Sequence, residues 1–184
     1  KIGVFGVLVD DISLKEAVSE VLKLAFAKQR GNYVVTVNSE FVMKARRDSE
    51  FARILNNADL AVADGWWVAF SRLISGGKAQ GRVTGVELVE NVCKEASEKA
   101  ITIGFLGGFG TVAARVSKRQ KLASPSLKVV YAGSGEGTIS LNSRLKPPFS
   151  AQKRIDILFV AYGMGRQELW IEKWRKKLDV GVFI

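Results

Sequence analysis

The sequence predicts an α/β fold: a single Rossmann-like domain built on a mostly parallel sheet with helices on both faces. Three observations carry that expectation. Apolar runs of strand length alternate with stretches of helical periodicity along the whole 184-residue chain. The runs are continuously apolar, as in strands covered on both faces, where a half-exposed strand would alternate polar and apolar. Each run closes on glycine or a polar residue, where a crossover to the next helix begins. The length suits one core, so residues 1–184 are expected to form one domain.

The first element, Ile2 to Val9, is a β-rich run broken by Gly3 and Gly6 and closed by Asp10-Asp11, a short strand or hairpin. Ser13-Leu14-Lys15-Glu16 then forms a capping box, whose hydroxyl and carboxylate each satisfy an orphan amide at a helix start. Leu14, Ala17, Val18, Val21, Leu22 and Ala25 follow at helical spacing, and Gly31 marks the expected end. Tyr33 to Val37 is a buried-type strand. Asn38-Ser39 lead from it into a helix through Phe41, Val42 and Ala45, with a second short helix near 49–56.

Leu60 to Ala63 is the next strand, ending in Asp64-Gly65, and helical character resumes at Trp66. A second capping box, Thr84-Gly85-Val86-Glu87, heads a helix with Leu88, Val89, Val92, Cys93 and Ala96 on one face. Ile101 to Leu106 is a strand running into Gly107-Gly108-Phe109-Gly110 and a helix to about Leu122. Val129 to Tyr131 is a strand, and 133–152 is an irregular Gly/Ser/Pro-containing stretch. Asp156 to Ala161 is a strand ending at Tyr162-Gly163. A helix from Arg166 to Lys177 and a last strand at Val180–Ile184 complete the pattern.

Composition restricts the chemistry. The chain has no histidine and a single cysteine, Cys93. Ser-His-Asp triads, histidine acid–base catalysis, disulfide frameworks and most zinc sites are thereby excluded. Catalysis would run on carboxylates, hydroxyls, cations or backbone amides. The net charge of +10 points to an anionic partner: nucleic acid, a phosphate-bearing ligand or an acidic membrane surface. Residues 1–64 carry nine cations and nine anions, so residues 65–184, with 19 against nine, supply the whole excess. No apolar run reaches the roughly 18 residues of a spanning helix, and no signal peptide pattern opens the chain; a cytoplasmic protein is expected. The opening at Lys1 without Met and the stop at Ile184 inside an apolar run suggest a chain trimmed at one or both ends.

In parallel sheets ligands bind at the carboxyl ends of strands, which makes Thr36, Asn38, Asp64, Gly107, Gly108, Gly163 and Gln167 the candidates. Asp64 is either a turn residue and N-cap or a general base beside the apolar Trp66 and Trp67. Thr36 and Asn38 share one strand face, as strand-end hydrogen-bonders or as ligand contacts. Arg82 is a solvated cation or a diphosphate contact at a helix entrance. Gly108-Phe109-Gly110-Thr111-Val112-Ala113 fits the loose dinucleotide fingerprint, equally a tight turn or a phosphate held by helix-start amides. Glu168 complements a helix dipole, whereas Gln167 has no such structural reason to be there. The cations Lys173, Arg175, Lys176 and Lys177 form a solvated helix face or a lipid contact.

In this order and spacing, five segments resemble the WecG/TagA/CpsF glycosyltransferase family. They are Thr36-Val37-Asn38-Ser39-Glu40, Ala63-Asp64-Gly65, Arg82-Val83-Thr84-Gly85, Phe105-Leu106-Gly107-Gly108, and Gly163 through Trp170. The resemblance spans essentially the whole chain. It implies an inverting, metal-independent enzyme without cofactor that moves N-acetylmannosamine or a related sugar from a UDP-sugar to undecaprenyl-diphosphate-linked N-acetylglucosamine, for teichoic acid or another surface polysaccharide. It makes Asp64 the catalytic base, sets Thr36, Asn38, Arg82 and Gln167 in the substrate pocket, and leaves Gly107, Gly108, Gly163 and Arg166 for the nucleotide phosphates.

Two departures from the family pattern stand out. Gly165-Arg166 replaces the usual Pro-Lys, and the chain stops before the family's basic C-terminal appendage. That appendage implies an anionic membrane partner and a peripheral location on the inner face of the plasma membrane, and a homo-oligomer is possible. Two other classes compete. A basic nucleic-acid-binding module is favoured by the charge, but the charge is dispersed and no helix-turn-helix, zinc or RNP signature appears. A nicotinamide-dependent oxidoreductase rests on Gly108 and Gly110 alone and lacks a ribose-binding acid some 20 residues on, Glu136 being the first acidic residue.

Overall fold

The computed structural model describes residues 1–78, 80–135 and 147–184. A two-stranded antiparallel hairpin, β1 (Ile2–Val4) and β2 (Val7–Val9), opens the chain. Val4 pairs with Val7, leaving Phe5-Gly6 as the turn, and both carry positive φ (48° and 89°), the conformation of a type I′ turn. After it come α1 (Leu14–Phe26), β3 (Asn32–Val37), α2 (Ser39–Ala45), α3 (Ser49–Asn56), β4 (Leu60–Ala63) and α4 (Trp66–Ile74). The second half holds α5 (Gly85–Glu98), β5 (Thr102–Gly107), α6 (Val112–Ala123), β6 (Lys128–Gly133), β7 (Ile155–Ala161), α7 (Arg166–Trp174) and β8 (Val180–Phe183). Most of the irregular stretch expected at 133–152, Glu136 included, lies outside the described residues.

Strands β3 to β8 form one sheet in the order β4-β3-β8-β7-β5-β6, and every neighbouring pair is parallel. All six carboxyl ends therefore face one edge. The helices divide between two cores. On one face Ala17, Val21, Leu88, Val92 and Ala113 of α1, α5 and α6 pack on the sheet. On the other, Phe41, Ile54, Val68 and Trp170 of α2, α3, α4 and α7 pack together with the hairpin. The doubly wound α/β fold expected from the pattern is the fold observed.

Both predicted capping boxes are formed. The Ser13 side chain accepts from the Glu16 amide while the Glu16 carboxylate accepts from the Ser13 N–H, and Thr84 and Glu87 reciprocate in the same way. Helix α1 ends at Phe26, five residues before Gly31. The intervening Arg30 is drawn out of the helix to bond the Ile155 and Asp179 carbonyls at the amino edge of the sheet, 2.9 and 3.0 Å away. Helix α7 likewise stops at Trp174, short of Lys177. Arg175 is no free member of a solvated basic face. It is largely buried and paired with Glu172 and Asp59 at 3.2 and 3.6 Å.

Two loops at the carboxyl edge require glycine. Gly107 has φ 110°, and a Cβ there would lie 2.5 Å from the Ala161 carbonyl oxygen. Only glycine allows β5 and β7 to close together, and the Gly108 amide donates to that same carbonyl at 2.9 Å. Gly165 has φ 84°, which proline cannot adopt, so the turn before α7 differs in kind from one built on Pro-Lys.

Candidate active site

Asp64 stands one residue beyond β4, its amide bonded to the Val37 carbonyl at the end of β3. It does not cap α4. Gly65 is the N-cap of that helix and no side chain closes the cap, so the carboxylate is free to point elsewhere. It reaches across to α5 and accepts the Gly85 N–H at 3.3 Å. A Cβ on Gly85 would lie 3.7 Å from both the Asp64 carboxylate and the Thr36 hydroxyl. Thr36, Asp64 and the start of α5 thus meet at one point, and a side chain at position 85 would stand between them.

Burial is the largest influence on the Asp64 carboxyl and pushes its pKa above the usual aspartate range. The Gly85 amide and the Arg82 guanidinium act in the opposite direction, and Glu87 adds to the rise. Arg82 lies over the Trp66 ring, 5.4 Å from its centroid. The arrangement is a half-buried carboxylate with raised proton affinity, one amide donor, one hydroxyl and one cation. Such a group can take a proton from a bound hydroxyl.

The other candidates are distributed along the same edge. Asn38 caps α2, its side-chain oxygen accepting from the amides of Glu40 and Phe41 at 3.0 and 3.2 Å, so that oxygen already has a structural role. Its backbone still adjoins the site, 3.6 Å from where a Cβ of Gly65 would be. Gln167 and Gly163 follow β7, which one strand, β8, separates from β3. Their loop meets α2, because the Lys44 side chain lies 3.2 Å from a Cβ on Gly165. Glu168 is buried and accepts the Gly165 N–H, an N-terminal cap that holds the loop, while Gln167 is half-buried and Arg166 is exposed.

Gly107 and Gly108 lie next along the edge. An apolar cavity of about 370 Å³ lies between α5, α6 and the sheet, lined by Gly85, Val89, Phe105, Gly107, Val116 and Phe159; it shares Gly85 with the Asp64 cluster, but Asp64 and Gly108 do not line it. Phe105 and Phe159 stack at 5.4 Å between centroids. Among the described residues no three His, Cys, Asp or Glu side chains gather into a metal-binding group.

Sequence reasoning missed Gly85 as the amide partner of Asp64, Trp66 as the platform for Arg82, and Arg72. That arginine is 1% exposed and donates to the Gly81 carbonyl at 2.8 Å, with Asp11 3.4 Å from its Nε. It anchors the segment from which Arg82 projects. The one available signal was a lone cation in an otherwise apolar helix, where pairing is the rule for a buried charge.

Fold and site together define a doubly wound α/β protein with a half-buried carboxylate, a hydroxyl and a cation gathered at the strand carboxyl ends. The chain belongs to the glycosyl transferase WecG/TagA/CpsF family, whose model matches residues 2–184. It is 27% identical over 165 residues to an N-acetylglucosaminyldiphosphoundecaprenol N-acetyl-beta-D-mannosaminyltransferase of Bacillus spizizenii, covering 90% of this chain and 63% of that protein. Enzymes of the same name from Staphylococcus aureus and Bacillus subtilis are 26% and 25% identical, over 99% and 84% of this chain and 72% and 59% of theirs. The chain thus spans about three fifths of the length of the Bacillus relatives it matches.

Proposed function

We propose that the protein is an inverting hexosyltransferase that moves N-acetylmannosamine, or a related sugar, from a UDP-sugar to N-acetylglucosamine carried on undecaprenyl diphosphate. Family membership and the activity named for the relatives support this reading. The observation that carries it is Asp64, a half-buried carboxylate of raised proton affinity beside Thr36, Arg82 and the Gly85 amide. Asp64 removes the proton from the acceptor sugar hydroxyl as that oxygen forms its bond to the anomeric carbon. The bond from the anomeric carbon to the UDP oxygen breaks on the opposite face and the electron pair leaves with UDP, so the configuration inverts.

Arg82, Arg166 and backbone amides of the Gly107-Gly108 and Gly163 loops, other than the Gly108 amide that bonds Ala161, meet the charge that grows on the leaving diphosphate, in place of a metal ion. Thr36, Asn38 and Gln167 contact the sugars. The apolar cavity that Gly85 and Gly107 help to line gives part of a bound donor room beside the carboxyl edge. Residues 1–184 act as the core of the transferase, completed by a further C-terminal segment that also holds it to the inner face of the plasma membrane. No helix among the described residues is long and apolar enough to cross a membrane, which is compatible with peripheral attachment.

The test is transfer from UDP-N-acetylmannosamine to a short-chain lipid analogue of diphospho-N-acetylglucosamine with chelator present, together with UDP binding by calorimetry. Turnover with inversion supports the reading. No turnover with any UDP-sugar and no UDP binding by folded protein would overturn it and bring the basic nucleic-acid module forward, to be judged by salt-dependent DNA binding.

A further inference from the structure

Helix α4 is inverted in its polarity. Its only charged residue, Arg72, is buried, whereas Trp66, Trp67, Phe70, Leu73 and Ile74 are exposed, Trp67 to 74% and Ile74 to 68%. Val68 and Ala69 already pack on the core, so the helix is apolar all round while only one side is covered. A helix with that pattern normally has apolar surroundings on every side. The exposed face continues onto the hairpin and α2. Phe5 and Met43, both exposed, line a groove of about 190 Å³ with Trp67 and Arg46. Phe5 is an aromatic residue at φ 48° in a turn position where glycine, asparagine or aspartate is usual. It is held there with most of its ring in solvent, so packing within this chain does not explain the choice.

We infer that this face of α4, with Phe5 and Met43, is a docking surface for an anionic lipid bilayer. Three observations favour a bilayer over a protein partner. Two tryptophans side by side at the head of a short helix suit the headgroup boundary, where an indole ring is half in hydrocarbon and half in water. No carboxylate lines the groove or lies on α4, while Arg46 flanks the groove and Arg82 stands over Trp66; among the described residues neither arginine is in an ion pair. The chain as a whole carries +10, and cations around an apolar face are what anionic headgroups attract. Finally, α4 starts two residues after Asp64. Docking of this face would bring the carboxylate to headgroup level, where the diphosphate of a lipid-linked acceptor lies. That last step rests on the proposed function, whereas the surface chemistry does not.

The test uses the 184-residue chain and vesicles without any acceptor: equimolar phosphatidylglycerol and phosphatidylcholine, against phosphatidylcholine alone. The wild type is expected to co-float with the anionic vesicles and to be displaced by salt. Trp67→Gln/Ile74→Gln and, independently, Phe70→Gln/Leu73→Gln should each lower the partition coefficient by at least about tenfold with the melting temperature maintained, since the replaced side chains are exposed. Arg46→Gln should weaken binding to anionic vesicles only. A wild type that stays in solution, or variants that float equally well, would overturn the inference. So would a lipid-free dimer in sedimentation velocity that the same variants dissociate, because the face would then belong to a second copy. Transfer to a water-soluble acceptor is read separately. Its failure in a protein that docks through α4 would remove the proposed activity and leave the surface assignment standing.

Discussion

The neighbours of the Asp64 carboxyl pull on it in different directions. Burial and Glu87 raise its proton affinity, while Arg82 and the Gly85 amide keep it ionisable. The pH profile of kcat/KM should therefore have an acidic limb lying above the ordinary aspartate value of about 3.9. Arg82→Gln removes a cation that favours the carboxylate, so the limb should move to higher pH. Glu87→Gln removes a like charge and should move it to lower pH. Equal shifts in one direction for both variants would contradict the assignment of that limb to Asp64. A carboxylate raised by burial also costs stability at neutral pH, so Asp64→Asn should melt no lower than the wild type. The position of this residue was legible in the sequence, as a carboxylate just past an apolar strand. Its partners were not, because Thr36 reaches it through the pairing of β3 with β4 and Gly85 through the Val83 amide bonding the Ala63 carbonyl at the end of β4, and no local pattern encodes those contacts.

The glycine and arginine joints between elements set how the carboxyl edge is built. Gly107→Ala places a methyl group 2.5 Å from the Ala161 oxygen at φ 110°. It should cost about 1–3 kcal/mol and lower the apparent affinity for UDP, measured by denaturant melts and calorimetry. Arg72→Met leaves Asp11 with the Lys78 amide but without its cation, and the Gly81 carbonyl without its donor. Breaking a buried pair in this way costs about 3–5 kcal/mol. Protein that remains folded should show a raised donor KM, since the Arg82 segment loses its anchor. Most elements could be recognised from the chain: both capping boxes, the hairpin and the continuous strand runs appear where their periodicity and caps place them. Helix ends were less legible. Arg30 lies beyond the end of α1 and bonds carbonyls distant in sequence, and Arg175, at the end of α7, pairs with Asp59.

Across the whole molecule the sheet order was the least legible feature. Val180 to Phe183 has the composition of any buried strand, yet it inserts between β3 and β7 in the middle of the sheet. Nothing in four apolar residues distinguishes a central position from an edge; the crossover through α7 decides it. The amino edge opposite the site is held by Asp156. Burial works against its carboxylate, but the Thr102 amide and hydroxyl and the Arg154 and Arg30 cations outweigh burial and hold its pKa below the usual range. A depressed carboxyl adds stability that is present above the unfolded-state value near pH 4 and is lost as pH falls through the folded-state value. The melting temperature of Asp156→Asn should fall below that of the wild type at pH 7, and the gap should narrow as the solution is acidified below about pH 4. A gap independent of pH would show that the charge contributes nothing.

Under the proposed function Asp64 is the base of a sugar transfer at the carboxyl edge of this sheet. The most direct test of that role compares wild type and Asp64→Asn for single-turnover transfer from UDP-N-acetylmannosamine to a soluble diphospho-N-acetylglucosamine acceptor, with UDP affinity measured on the same samples. A general base is worth about 10²- to 10⁴-fold, so the variant should lose at least about 10² in rate while binding UDP as the wild type does. A variant that transfers sugar at the wild-type rate would contradict the claim.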